Sequence, residues 1–176
     1  GEPRTLQGNT AEVWAVAWSP DGKNLVTGAR DGTVRYWDPA SEAKAPYEVL
    51  PVSLWPSGLA FAADSKTFLA VSGSGGVVER WDAATLRRIE TLPFLGTNHW
   101  CLDLSYDGRL VAFGDNDGHV RVWEAWDSPD RRLAADLVVP EGRILAVLFS
   151  PRDLYLSAGV LSPVDFCVTE FWERST

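Results

Sequence analysis

Apolar and polar positions recur in a fixed order along this 176-residue chain. Val13 to Trp18 alternates, and Ser19-Pro20-Asp21-Gly22 then turns the chain. Leu25 to Ala29 reads as a second strand, Arg30-Asp31-Gly32 as a tight hairpin turn of the Asp-Gly kind, and Thr33 to Trp37 as a third strand. A fourth, Ala45 to Leu50, follows a polar loop. The order returns at Phe68 to Val71, Val77 to Trp81 and Arg88 to Leu92, then at Leu110 to Phe113, Val120 to Trp123 and Ala134 to Val139. Short runs of Val, Leu and aromatics, with turn signals about every 8–12 residues, predict strands. No segment carries the helical period near 3.6. The pattern predicts an all-β chain.

Two landmarks give the period. Trp-acidic pairs stand at Trp37-Asp38, Trp81-Asp82, Trp123-Glu124 and Trp172-Glu173, separated by 44, 42 and 49 residues. Upstream of each lies a turn segment: Trp18-Ser19-Pro20-Asp21-Gly22, Phe61-Ala62-Ala63-Asp64-Ser65, Leu104-Ser105-Tyr106-Asp107-Gly108 and Phe149-Ser150-Pro151-Arg152-Asp153. These begin 43, 43 and 45 residues apart. Two landmarks in phase define four repeats, approximately 1–42, 43–86, 87–130 and 131–176, of one region spanning 1–176.

Composition narrows what such a chain does. Hydrophobic residues make up 45% and charged residues 23%, enough for a packed core. Nine Trp, fifteen Gly and eleven Pro suit many turns and argue against a helical bundle. The net charge of −8 disfavours a general phosphate-binding surface, so nucleic acid is not an expected partner. The local basic strip Arg87, Arg88, Arg131 and Arg132 reads as a solvated outer-strand face. No run of about 18 apolar residues exists, so no membrane partner is expected. Without a Met, Gly1 is not expected to be a translation start, and the chain reads as a cut fragment, a processed product or a tagged piece.

Cys101 and Cys167 each sit in an apolar run, where a buried free thiol behaves as a small hydrophobe; that usage fits a reducing, cytoplasmic setting. His99 and His119 fall in no zinc-ligand spacing. The glycine-rich segment Ser72-Gly73-Ser74-Gly75-Gly76 lacks the Lys and helix of a phosphate loop. Asp21, Asp31, Asp107 and Asp117 are the acidic residues turns use. No catalytic residue, cofactor site or metal site is expected, and the chain is read as non-enzymatic.

The repeats resemble the WD-repeat family of β-propellers over essentially the whole chain. The best match runs Leu6-Gln7-Gly8-Asn9-Thr10, Val13 to Gly22, Leu25-Val26-Thr27-Gly28 and Asp31-Gly32-Thr33-Val34-Arg35-Tyr36-Trp37-Asp38. The resemblance implies blades of four antiparallel strands, with His, Ser/Thr, Asp and Trp hydrogen-bonded in each. Here Thr27, Asp31 and Trp37 match in the first unit, but Asn9 stands where His belongs; its amide is expected to reach Asp31. Trp81 remains in the second unit, with Gly75 at the Asp position; the third keeps Asp117 and Trp123 with Phe113 for Ser/Thr; the fourth keeps Trp172. Trp18, too, is assigned to structure. Trp126, three residues after Trp123, reads as a loop residue.

In this family the sequence unit is offset from the blade, so Arg4 to Gln7 looks like an outer strand that completes the last blade, which lacks a fourth strand of its own. Four units suit half of an eight-bladed ring. Three closures stay open: two identical half-rings exchanging N-terminal strands, a half-ring completed by another chain or further blades, and a closed four-bladed ring. An open half-ring would expose two apolar sheet faces.

The resemblance implies a protein-interaction scaffold that binds a protein or peptide on a ring face. Glu12 and Trp14 with Arg30, Trp55 and Ser57 with Ser74, Asn98 and Trp100 with Asn116, and Arg143 with Leu145 should share that face. Trp and Arg suit binding hot spots, though Trp14, Trp55 and Trp100 equally suit packing between blades. A sensor or regulatory region of a larger bacterial signalling protein, beside a kinase, protease or nucleotide-binding module, is the alternative.

Overall fold

The computed structural model describes residues 5–41, 45–46, 48–52, 55–73, 75–92, 99–140, 142–152, 155–161 and 168–173. All regular structure among them is β. The first sheet comprises β1 (Val13–Trp18), β2 (Leu25–Ala29), β3 (Thr33–Trp37) and β4 (Glu48–Pro51). The second holds β5 (Pro56–Phe61), β6 (Thr67–Ser72), β7 (Val78–Asp82) and β8 (Arg88–Leu92). The third holds β9 (His99–Leu104), β10 (Leu110–Asp115), β11 (His119–Glu124) and β12 (Arg132–Val138). The fourth has β13 (Arg143–Phe149), β14 (Tyr155–Leu161) and β15 (Val168–Glu173). Each sheet is an antiparallel meander in chain order, one blade of a propeller. The blades lie downstream of the sequence repeats because β4, β8 and β12 each close the sheet already begun.

The turns follow from their residues. Gly22 and Gly108, both with positive φ, end the β1–β2 and β9–β10 turns, where Ser19 and Ser105 hydroxyls donate to Asp21 and Asp107 at 2.7 Å. In the second blade Ser65 occupies that position at φ 60°, in the left-handed region glycine favours.

Blades pack through their inner strands: β1 against β5, β5 against β9, β9 against β13. Tyr36, Leu59, Phe61, Phe68 and Trp81 fill the seam between the first and second blades. Leu69, Leu102, Leu104, Phe113, Trp123 and Trp126 fill the next, and Ile144, Val147, Leu156 and Val160 dominate the third. Among the described residues, β13 and β1 share no comparable interface. The described blades follow one another in a row through these three seams.

Equivalent positions show the same thing. Phe61 and Leu104 are 7% and 9% exposed because each faces the preceding blade, whereas Trp18, at the same position in β1, is 55% exposed. Val16 is exposed where Leu59 and Leu102 are buried. At the other end Leu148, Tyr155 and Leu161 are exposed. Trp18, assigned to structure from the sequence, is thus exposed among the described residues, where Phe61 and Leu104 are covered. Trp37 is buried instead by the segment before β1, where Gly8 approaches the indole and Pro46 closely. Residues 5–7 of the proposed exchanging strand belong to no strand, and Arg4 lies outside the described residues.

One cross-strand pair per blade is kept small where inner strands approach: Ala15 with Gly28, Gly58 with Val71, Cys101 with Gly114, Ala146 with Gly159. A Cβ on Gly28 would stand 3.0 Å from Pro56 of the next blade, and one on Gly58 2.9 Å from Leu102. Where the second blade carries Val71, its partner is glycine. Small volume at this pair lets neighbouring sheets wedge together.

Candidate aromatic face at the inner-strand entrance

Each inner strand enters its sheet through a register irregularity, and the residue skipped by the pairing is Trp14 in β1, Ser57 in β5, Trp100 in β9 and Leu145 in β13. A bulge of this kind re-aims one side chain out of the ordinary alternation. Four blades thus present equivalent residues at one end of their sheets. Before the bulges of β1 and β5 the chain is tied to the hairpin beside it: Arg30 N–H donates to the Glu12 carbonyl at 2.9 Å, and Gly73 N–H to the Trp55 carbonyl at 3.2 Å. The Ser57 hydroxyl donates to the His99 carbonyl at 3.1 Å, linking the second and third blades.

Three indoles meet there. The Trp14 ring lies 6.4 Å from that of Trp55 at an interplanar angle of 82°, and 6.1 Å from that of Trp100 at 35°. Trp14 and Trp55 remain 38% and 48% exposed. The Arg30 guanidinium lies over Trp14, 5.9 Å from its centroid, and is paired with Glu12 at 3.4 Å. These tryptophans pack on one another across blades, and Trp14 and Trp55 still present surface. Asn116 and Arg143 lie at the same entrance level, Arg143 exposed beside Leu145. Ser74 and Asn98 lie outside the described residues.

The hydrogen-bonded motif survives in altered form in the first blade. Trp37 Nε1 donates to Thr27 Oγ1 at 3.0 Å, and that hydroxyl donates to Asn9 Oδ1 at 3.3 Å. Asn9 does not reach Asp31 directly, as its sequence position had suggested. Arg35 bridges them, donating to Asn9 Oδ1 at 3.3 Å and to Asp31 Oδ2 at 2.7 Å. The carboxyl of Asp31 is held far below the usual range, first by Arg35, then by Thr10 and Thr33. In the second blade Ala70 replaces Thr27, and buried Trp81 Nε1 has no acceptor.

In the third blade the expected residue is not the working one. Asp117 is exposed; Asp115, two residues earlier and buried, accepts from the Asp117 and His119 amides at 2.9 Å and binds Arg121. Asp115, buried and paired across the sheet with His99 of β9, is the carboxylate that holds the turn amides. The Asp-Asn-Asp-Gly sequence contained that choice without revealing it. Trp126 is a loop residue, as its sequence position suggested, in the turn after β11, and it is core as well: it is buried, donates Nε1 to the Gly108 carbonyl at 3.0 Å, and carries the Arg80 guanidinium 5.3 Å from its ring. The basic strip is largely neutralised, Arg88 by Glu79, Arg131 by Glu90 and Arg132 by Glu124. Arg87, Arg88 and Arg132 are exposed, as a solvated outer-strand face would have them, while Arg131 is half-buried.

His99 is buried with neither ring nitrogen hydrogen-bonded, and desolvation lowers its pKa. Burial pushes the Cys101 thiol up to about 12, so it is no nucleophile. Cys167 lies outside the described residues. No group of three or more His, Cys, Asp and Glu poised for a metal occurs among the described residues. No helix among them is long and apolar enough to cross a membrane.

Comparison with known proteins follows this geometry closely. The profile of the WD domain, G-beta repeat, matches residues 2–38 and 93–124. WD repeat-containing protein slp1 of Schizosaccharomyces pombe is 26% identical over 85% of this chain and 33% of its own. Guanine nucleotide-binding protein subunit beta-1 of Nicotiana tabacum is 29% identical over 68% of this chain and 34% of its own. The chain thus spans about a third of the length of these curated relatives. A chain of Kuenenia stuttgartiensis hydrazine synthase shares the fold at a TM-score of 0.76 and 17% identity, covering 93% of this chain and 51% of that one.

Proposed function

The chain belongs to the WD-repeat family of β-propellers, and from that premise we propose a non-catalytic protein-interaction scaffold whose ring is completed by a second copy of the same chain. The observation that carries the closure is the pair of exposed apolar end faces, Val16 and Trp18 on β1 and Leu148 and Tyr155 on the last blade. Such faces are costly in water, and equivalent residues within the row are covered by a neighbouring blade. Two arcs related by a two-fold axis would set each first blade against the other's last blade, in an eight-bladed ring. Arg4 to Gln7 would then supply the fourth strand that the β13–β14–β15 sheet lacks.

Partner binding is assigned to the entrance face, with Trp14, Trp55 and Trp100 as anchors and Glu12, Arg30, Ser57, Ser74, Asn98, Asn116, Arg143 and Leu145 around them. Indole groups that are partly exposed yet held by packing are the kind that dominate interface energies. A protein or peptide is the partner class, in a cytoplasmic setting. Trp14→Ala and Trp100→Ala should lower partner affinity by about tenfold or more with the fold intact.

Size-exclusion chromatography with light scattering tests the closure. The expected mass is twice the 19.3 kDa of the chain, and Trp18→Asp or Leu148→Asp should return it to one chain mass. A monodisperse monomer of the unaltered chain would refute self-closure. That outcome would favour a second reading, which the same end faces support: further blades of a longer signalling protein, or a different chain, complete the ring.

A further inference from the structure

The three entrance indoles carry a more specific reading, which rests on the scaffold reading above. We infer that Trp14, Trp55 and Trp100 form a site for the cationic side chain of a bound peptide, an arginine or lysine, and that Arg30 is its resident competitor.

The first ground is convergence. Trp14, Trp55 and Trp100 come from three successive blades and are 45 residues or fewer from their neighbours in the group, yet their rings lie within 6.4 Å of the central one. Trp14 and Trp100 are the bulge residues of their strands, so the backbone irregularity itself turns them toward this point. Trp14 and Trp55 meet edge to face at 82°, with Trp100 tilted beside Trp14. Faces of this kind attract cations through the ring quadrupole.

The second ground is that a cation already uses the site. The Arg30 guanidinium sits over Trp14, with Glu12 as its counter-charge, and both side chains are more than half exposed. An exposed pair is displaced at little cost. An incoming guanidinium or ammonium could therefore take the ring face and the Glu12 carboxylate together, leaving Arg30 to solvent.

The third ground is charge. The chain carries a net charge of −8, which draws a basic segment and repels an acidic one. Trp100 packs against Trp14 and beside Gly73, where a Cβ would lie 3.6 Å from it.

The test uses the whole chain labelled with nitrogen-15 and follows its indole N–H signals. The probes are a capped pentapeptide with a central Arg flanked by Ala and Gly, its Lys counterpart, and its neutral citrulline counterpart. The Arg and Lys peptides should shift the signals of Trp14, Trp55 and Trp100, assigned by Trp→Phe variants, and citrulline should not. Arg30→Ala should tighten the Arg peptide about 2–5-fold, the scale of one surface cation–π contact, and Trp14→Ala should weaken it by at least as much. Equal shifts with citrulline would overturn the cation site while leaving a peptide-binding face in place. Unchanged affinity in Arg30→Ala would also overturn it, and this variant disturbs no packed residue. Should Trp14→Ala and Trp100→Ala both collapse the indole dispersion, the face is core and the scaffold reading loses its anchor as well.

Discussion

Replacing Gly114 by Ala probes the blade-to-blade seam most directly. A Cβ built there falls 2.3 Å from Ile144 Cγ2, 2.8 Å from Ile144 Cβ and 2.7 Å from Cys101 Sγ. Carbon pairs rest at about 3.5–4.0 Å, so the seam must open by roughly 1 Å. Ile144 cannot swing aside, being β-branched, fully buried and fixed in β13 against β14. Overpacking a core costs about 1–3 kcal/mol, and contact with two held side chains at once puts this change near the upper end. For a chain of this size about 3 kcal/mol lowers Tm by roughly 6–12 °C. The assay is thermal unfolding by circular dichroism at one fixed protein concentration, since self-association shifts apparent stability. Gly159→Ala is the control: its nearest neighbour is Ala146 Cβ at 3.7 Å, an ordinary contact, and Tm should barely move. In an Ile144→Ala background the offending methyl is gone, and Gly114→Ala should cost at least about 1 kcal/mol less. A Gly114→Ala melt within 1 °C of the parent, or the same loss in both backgrounds, would refute the seam as described.

Two further outcomes follow from the buried polar groups. Thr27→Val keeps the shape but removes the acceptor of Trp37 Nε1 and the link to Asn9, so urea denaturation should show a loss of about 1–3 kcal/mol; the matched Ala70→Val change in the second blade breaks no such bond and should act only through volume. Stability should fall with acid in two steps. His99 has a lowered folded pKa, so the unfolded chain takes the proton first, and stability declines as pH drops below the ordinary 6.5. Asp31 is also lowered, so its contribution is present above 3.8 and declines as pH falls below that value toward the much lower folded one. His99→Phe should flatten the upper step and Asp31→Asn the lower, read from Tm against pH.

Much of this molecule is local and therefore legible. Alternation, Asp-Gly turns and Trp-acidic pairs are properties of neighbouring residues, so β1, β2, β3 and β8 fall where the periodicity places them. That Trp14 and Trp100 lie at one end of their sheets was also legible, because they occupy equivalent positions in repeated units. The hydrogen-bonding details were not. Arg35 between Asn9 and Asp31, and Asp115 in place of Asp117, depend on which groups the folded turn brings within reach and which of them a neighbouring strand buries. Trp126 shows the same limit, since a loop indole becomes core only when the adjacent blade offers a cavity and the Gly108 carbonyl.

What the sequence by itself determined was the blade: four repeated units, their strands and their turns, because each rests on contacts within about 45 residues. What only the tertiary structure decided was coverage. Trp18 and Phe61 are equivalent in pattern, yet one is bare and the other buried, since burial depends on whether another sheet stands against that face. The meeting of Trp55 and Trp100 on Trp14 was decided in the same way, with strand bulges turning Trp14 and Trp100 from different blades toward one point.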